Sequence, residues 1–239
     1  MILSMLLNGG SLFDVILTLL FMLPPMMLAL SLHEAAHGYV AWKCGDNTAY
    51  NLGRLTLNPT KHLDPMGFIC LLVFGYGWAN PVPINTRNFR NPKRGMALSA
   101  AAGPLSNLVL GSLCALLAGV VGGYFSFILA SSNVSEYWAT VMSLLFTALR
   151  YSAVINFVYM VFNMIPVPPF DGSRVMLAFL PANTYFKIMR YERQIMFGVL
   201  IALLVFSRLG FSPFSWIAYN LADGIINPIM GGIFNGLIL

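Results

Sequence analysis

Residues 21–42 read FMLPPMMLALSLHEAAHGYVAW, an apolar stretch interrupted near its end by a histidine, a glutamate and a second histidine. Residues four apart lie on the same face of an α-helix, so His33 and His37 can hold one metal ion between them. Glu34 lies about 100° around the helix from His33, beside such an ion rather than directly under it. Three polar groups are costly inside a membrane segment, which favours a functional role over buried histidines that merely satisfy their hydrogen bonds.

The composition predicts a membrane protein with a single domain over residues 1–239. Of its 239 residues, 58% are hydrophobic and only 9% are charged, whereas soluble proteins carry about 25% charged residues. The formal net charge of +5 is small and dispersed, which excludes nucleic acid as a partner and favours the lipid bilayer. Cys44, Cys70 and Cys114 are widely spaced, so we expect packing residues and no disulfide framework.

The apolar stretches predict an all-α polytopic membrane protein with about five to six transmembrane helices, since a helix needs about 20 residues to cross a bilayer. We expect a core over about residues 12–180 and additional spans over about residues 187–239. Prolines predict a kink or break at Pro24–Pro25 and a break at Asn227–Pro228. Arg150 is expected near one interface, with its span beginning after it. The first predicted helix, Leu12–Lys43, is expected to remain uncleaved, and the second is Met96–Ala130. The apolar stretch Tyr137–Met164 follows, with its span over Tyr151–Pro166. The further predicted spans are Phe197–Phe206 and Trp216–Leu239.

The segment between the first two long helices does not fit a membrane-spanning helix. Alternation in Gly53–Asn58 predicts a short strand or hairpin. The apolar run Phe68–Phe74 is too short to cross, which indicates a segment that enters the membrane and returns. We therefore expect a short membrane-embedded β-hairpin or re-entrant segment near the histidine pair.

A tetrahedral metal site that keeps one position open needs a third protein ligand. The chain has eight acidic residues, most of them at helix ends or in loops. Asp64 and Asp171 remain as candidates, and we favour Asp171. It follows the prolines of Asn163–Phe170, which cannot continue a helix, so an unwound segment delivers the carboxylate at membrane depth.

Three motifs occur in order along the chain: HEAAH at residues 33–37, GPLSN at 103–107 and NMIPVPPFDG at 163–172. Together they resemble the site-2 protease family of intramembrane zinc metalloproteases, with the catalytic core over about residues 12–180. The chain looks like a compact prokaryotic type, without a PDZ domain or regulatory nucleotide-binding modules. The family often has leucine before the motif aspartate, where this chain has Phe170.

The resemblance implies one Zn2+ per chain, bound by His33, His37 and Asp171, with Glu34 as the general base for a zinc-bound water. The implied reaction is hydrolysis of peptide bonds within or near transmembrane segments of membrane-protein substrates. Such a substrate must unwind, and its backbone then needs new hydrogen-bond partners. A strand edge can supply them, so we expect Gly53–Asn58 to bind the substrate, with residues 76–84 as a second candidate edge.

Two further side chains are candidates for catalysis through stabilisation of the oxyanion. Asn107 stands where the family motif has an asparagine, and the alternative role is a hydrogen bond between helices. His62 is the remaining histidine, and the alternative role is to cap the turn before Asp64.

The same ligands would also suit a zinc-binding membrane protein without proteolytic activity, such as a transporter or an inactive chaperone-like relative. A transporter should show ionisable sites along a path and repeated halves, and an inactive relative should lack Glu34. Basic residues concentrate in 43–94 and 171–194, which predicts a multi-pass protein of the cell membrane with its active site toward the cytoplasmic half. The sequence predicts no particular oligomeric state.

Overall fold

Within the residues that it describes, the structure is almost entirely helical. The structure is a computed structural model. Three of its described helices are long and apolar enough to cross a membrane: Val15–Lys43, Pro92–Ala130 and Glu136–Asn163. The prediction of a helical membrane protein is therefore confirmed, while the count of five to six spans stays a prediction. The structure describes residues 9, 11–74, 77–131, 135–181, 184, 187–188, 190–208 and 213–238. Residue 76, in the second candidate edge, and residue 75 beside it therefore lie outside the described residues.

Eight α-helices can be delimited in the described residues, and the first and fourth correspond closely to two of the predicted spans. The fifth begins at Glu136, 15 residues before the predicted span Tyr151–Pro166, so that boundary was wrong. The predicted span Phe197–Phe206 lies within the seventh helix, and the eighth covers the predicted span Trp216–Leu239 as far as Ile238. Short 3₁₀ turns occur at Pro59–Lys61 and Thr86–Asn88. The helices are α1 (Leu12–Lys43), α2 (Thr48–Asn51), α3 (Pro65–Phe74), α4 (Pro92–Ser131), α5 (Glu136–Asn163), α6 (Asp171–Leu177), α7 (Glu192–Arg208) and α8 (Pro213–Ile238).

The buried core lies where α4, α5 and α8 pack against one another. Small residues dominate it, which lets the helix backbones approach closely, as is typical of helices that associate in membranes. A Cβ atom added at Gly119 or Gly123 of α4 would lie 2.8 Å from the Cβ of Ile229 or Ile233 of α8. Helices α1 and α6 also pack against α4, which is therefore the central helix. The core residues are Ala115, Ala118, Ala153, Val154, Phe157, Ala218, Ala222 and Ile226.

The break predicted at Asn227–Pro228 is absent, and at Pro24–Pro25 the alternative of a break is wrong, whereas that of a kink stays a prediction. Helix α1 continues through Pro24 and Pro25, and α8 continues through Pro228, because a proline removes only one helix hydrogen bond and a packed bundle tolerates that loss. Arg150 also lies within α5 and does not begin a span. Its Nε and Nη2 atoms donate to the two carboxylate oxygens of Asp223 on α8, each at 2.9 Å. The span predicted to begin after Arg150 was wrong, because a carboxylate 73 positions away compensates the charge of Arg150 within the helix. The location of Arg150 near an interface stays a prediction.

The strand predicted at Gly53–Asn58 is also absent, and these residues form an irregular loop. Polar side chains in the loop bond to their own backbone: Thr56 Oγ1 accepts from the N–H of Asn58, and Asn58 Oδ1 accepts from the N–H of Thr60. Such local bonds compete with a strand ladder for the same backbone groups. The segment therefore offers no strand edge for a substrate.

The length of helix α3 agrees with the prediction of a segment that enters the membrane and returns. The helix has 10 residues and rises about 15 Å, half of the hydrocarbon thickness of about 30 Å. The chain then returns along the same helix, because a Cβ atom at Gly77 would lie 2.2 Å from the carbonyl oxygen of Gly67. A single antiparallel bridge between Leu63 and Ala79 joins the two ends of this excursion. Its insertion into the membrane stays a prediction.

Candidate metal centre

Helix α1 presents both histidines of the HEAAH motif on one buried face. The Nε2 atoms of His33 and His37 lie 3.0 Å apart. Asp171, the first residue of α6, places Oδ2 3.0 Å from the Nε2 of His33 and 3.1 Å from the Nε2 of His37. These three side chains form the group that could hold a metal ion among the described residues. The structure thus brings Asp171, and not Asp64, to the histidine pair.

The three donor atoms form a nearly equilateral triangle that suits a tetrahedral ion. Ligand atoms about 2.0–2.1 Å from Zn2+ lie about 3.3–3.4 Å apart at tetrahedral angles, close to the separations observed. Two imidazole nitrogens and one carboxylate oxygen suit zinc and leave a fourth position for water. A carboxylate must be ionised to bind the ion.

Asp171 reaches the histidines because the chain unwinds after α5, as the sequence predicts. Residues 164–170 are not helical, and α6 begins at Asp171 itself. The next residue must be small, because a Cβ atom at Gly172 would lie 2.3 Å from the carbonyl oxygen of Met164. Glycine therefore lets α6 fold back against the end of α5 and point its first carboxylate at α1.

Helix α4 lies against the histidine pair through three residues spaced four apart. His37 Nδ1 donates to the carbonyl oxygen of Ser99 at 2.7 Å, and His33 Nδ1 donates to Asn107 Oδ1 at 2.5 Å. Because these oxygens can only accept, each ring keeps its Nε2 lone pair for a metal ion. A Cβ atom at Gly103 would lie 2.4 Å from the Nε2 of His37 and 2.6 Å from the Nε2 of His33. The GPLSN motif thus supplies both space and a hydrogen-bond acceptor.

Both N–H groups of the Asn107 side-chain amide donate hydrogen bonds within the protein. Its Nδ2 atom donates to the carbonyl oxygen of Ala29 on α1 at 3.2 Å and to Oδ1 of Asn156 on α5 at 2.9 Å. These contacts favour the role of a hydrogen bond between helices over that of an oxyanion donor. Asn156, which is 1% exposed, was missed by sequence reasoning. Its signal is an amide within an otherwise apolar span.

Glu34 lies on the same helix, next to the first histidine, and is buried. Its Oε2 atom accepts a hydrogen bond from the backbone N–H of Val82 at 2.9 Å. The other oxygen, Oε1, accepts no hydrogen bond from the residues that the structure describes. A buried carboxylate with one free oxygen beside a metal position can accept a proton from an attacking water.

The structure does not bring His62 into hydrogen-bond contact with the metal group. Its ring is fully buried, and Nε2 donates to the carbonyl oxygen of Thr56 at 2.8 Å. Asp64 Oδ1 accepts from the N–H of Gly67 at 2.7 Å and so caps the first turn of α3. Both contacts favour structural roles for these two residues.

The site is that of a metal-dependent hydrolytic enzyme set among membrane helices. The family model for Peptidase family M50 matches residues 19–207. "Putative zinc metalloprotease YwhC" of Bacillus subtilis is 35% identical over 213 residues, which cover 89% of this chain and 92% of that protein. "Putative zinc metalloprotease Rip2" of Mycolicibacterium smegmatis is 24% identical over 184 residues, or 75% of this chain and 64% of that protein. No solved structure matches the chain.

The chain belongs to peptidase family M50. This membership confirms the resemblance to site-2 proteases and the prediction of a metalloprotease. The prediction of Zn2+ as its cofactor is confirmed as well, because the family agrees with the donor set of His33, His37 and Asp171.

Proposed function

We propose that the protein hydrolyses peptide bonds within or near the transmembrane segments of membrane-protein substrates. The depth of the metal centre along α1 carries this proposal. His33 lies ten residues before Lys43, a distance of about 15 Å along a helix, and the hydrocarbon core is about 30 Å thick. Lys43 lies over the ring of Trp42, 4.4 Å from its centroid, a pairing typical of the membrane interface. The metal centre then lies near the middle of the bilayer.

In this proposal His33, His37 and Asp171 hold the metal ion. When bound, zinc polarises the attacking water and the scissile carbonyl group. Glu34 accepts the proton of the water and passes it to the leaving amine. Asn107 is a positioning residue, because it fixes the rotation of the His33 ring and has no amide hydrogen left for the oxyanion.

The alternative, a zinc-binding membrane protein without proteolysis, is less well supported. A transporter would need ionisable groups along a path across the membrane, whereas the described residues contain one metal-ligating group. A chaperone-like inactive relative would not need a buried glutamate beside the ligands, and Glu34 is present.

We further propose that the site opens toward the cytoplasmic half of the membrane. Residues 43–94 carry seven basic and two acidic residues, and basic connections stay in the cytoplasm. In a variant without native cysteines, Lys93→Cys should react with an impermeant thiol reagent only from the cytoplasmic side. Ser132→Cys, on the connection after α4, should react only from outside. The reverse pattern would overturn this orientation.

A substrate trap tests the proposed activity. Glu34→Gln should keep its zinc and co-purify with intact membrane proteins, which wild-type protein should then cleave in liposomes. Mass spectrometry of the products should locate the cut within or near a transmembrane segment. Cuts confined to soluble regions, or trapped proteins that wild-type protein leaves intact, would contradict the proposal.

A further inference from the structure

The hydrogen bond between Val82 and Glu34 connects the α1 glutamate to a loop 48 positions away in sequence. Val82 is 6% exposed and Glu34 is 8% exposed, so little water competes for this bond. Hydrogen bonds from a backbone N–H to a carboxylate are shorter and stronger than those between neutral groups. The bond therefore fixes one carboxylate oxygen firmly in place.

The sequence around Val82 leaves a single backbone N–H that can donate to Glu34. Proline has no backbone N–H, so within Pro81-Val82-Pro83 the amide of Val82 is the only backbone donor. The residue before a proline is restricted to extended conformations. Val82 therefore has a restricted backbone as well as the single donor.

Neighbouring contacts hold this loop against the metal helix. The N–H of Asn80 donates to the carbonyl oxygen of His62 at 2.8 Å, and Arg54 Nη2 donates to the carbonyl oxygens of Asn80 and Pro81 at 2.8 and 3.2 Å. The Val82 side chain packs against α1, where a Cβ atom at Gly38 would lie 3.0 Å from Val82 Cγ1. These contacts hold residues 80–82 in place, so the N–H of Val82 approaches Glu34 from a fixed segment.

We propose that the backbone N–H of Val82 is a positioning group for the general base. It holds Oε2 of Glu34 and leaves Oε1 to accept the proton of the attacking water, so that the proton acceptor is oriented before the substrate arrives. This inference rests on the proposed function, since it requires Glu34 to be the base. It assigns a role in the reaction to a loop residue that carries no reactive side chain.

A pair of proline variants tests the role of this N–H. Val82→Pro removes the donor to Glu34. Ile84→Pro is the matched control, since it also places a proline after a proline, and the Ile84 N–H donates to no described residue. General bases contribute about 10²–10⁴-fold, so kcat of Val82→Pro should fall about tenfold or more, with KM and zinc content unchanged. A kcat equal to that of Ile84→Pro, or above that of wild type, would overturn the proposal.

Two further measurements separate positioning from misfolding. The α-hydroxy acid analogue of valine at position 82 removes only the N–H and decides the question if Val82→Pro does not fold. It should lower kcat while the visible spectrum of the cobalt-substituted protein stays unchanged. In a Glu34→Asp background, the shorter side chain withdraws from the Val82 amide. The α-hydroxy acid analogue at position 82 should therefore lower kcat by a smaller factor there than in the wild-type background. An equal loss in both backgrounds would overturn the proposal, whereas normal cleavage by Glu34→Gln would overturn the proposed function instead.

Discussion

The Oδ1 atom of Asn107 on α4 accepts a hydrogen bond from Nδ1 of His33 on α1, across 74 positions of sequence. The same amide donates to Asn156 on α5, so one side chain links three helices at the metal centre. The orientation of the His33 ring therefore depends on how α4 and α5 pack, and not on α1 alone.

Asn107→Ala should weaken zinc binding because it leaves the His33 ring free to rotate. Loss of such a partner typically lowers metal affinity about 10–100-fold. Competition with a chromogenic chelator measures the affinity directly. Asn163→Ala is the control, since among the described residues its amide bonds to the carbonyl oxygen of Tyr159, on its own helix. Equal zinc affinity in both variants would show that Asn107 does not position the ligand.

Gly103→Ala should abolish zinc binding, because its methyl group would overlap the Nε2 atoms of both histidines. Gly224→Ala on α8 meets nothing within 4 Å and is the matched control. Alanine is favoured over glycine within a helix by about 0.5–1 kcal/mol, so the control should keep its zinc and unfold slightly later. Zinc content by mass spectrometry and thermal unfolding check both variants. A fully loaded Gly103→Ala protein would disprove the close approach of α4.

Asp223→Ala should lower the unfolding temperature because it leaves the Arg150 guanidinium between α5 and α8 without its bidentate partner. The reversed pair, Arg150→Asp with Asp223→Arg, should recover part of the loss. Pairs in contact show coupling energies of about 0.5–3 kcal/mol. Additive effects in the double-mutant cycle would show that the two charges do not interact.

Stability should fall at acid pH partly through Asp46, a buried residue after α1. Burial acts to raise its pKa, but hydrogen bonds from Thr48, Asn85 and Asn88 lower it below its ordinary value, which is about 3.9. A lowered folded-state pKa means stability that is present above pH ~4 and lost as pH falls through the folded pKa. Unfolding midpoints between pH 6 and 2 should drop less for Asp46→Asn than for wild type. Parallel curves would contradict this account.

The extents of α1 and α4 and the grouping of His33, His37 and Asp171 could be predicted because their causes are local. Hydropathy marks α1, α4 and α5, the spacing of His33 and His37 follows helix geometry, and prolines mark where the chain unwinds before Asp171. The strand at Gly53–Asn58 was predicted from side-chain alternation alone. That pattern does not reveal that Thr56 and Asn58 bond to the local backbone.

The remaining contacts of the site depend on packing between distant segments. The sequence alone does not distinguish Asn156 from the other asparagines of the chain. Only the packing of α5 shows that it lies beside Asn107. The backbone N–H of Val82 has no side-chain signal, because every residue except proline carries one. The ion pair of Asp223 with Arg150 could not be predicted, since the two residues lie on different helices.

The central claim is that Glu34 acts as the base at a zinc ion held by His33, His37 and Asp171. The most direct measurement is the cleavage rate of a trapped substrate in liposomes, with zinc content determined on the same samples. Wild-type protein should carry about one zinc per chain, and Glu34→Gln should match that content while cleaving at least about 100-fold more slowly. Glu34→Gln that cleaves at the wild-type rate with full zinc would contradict the account.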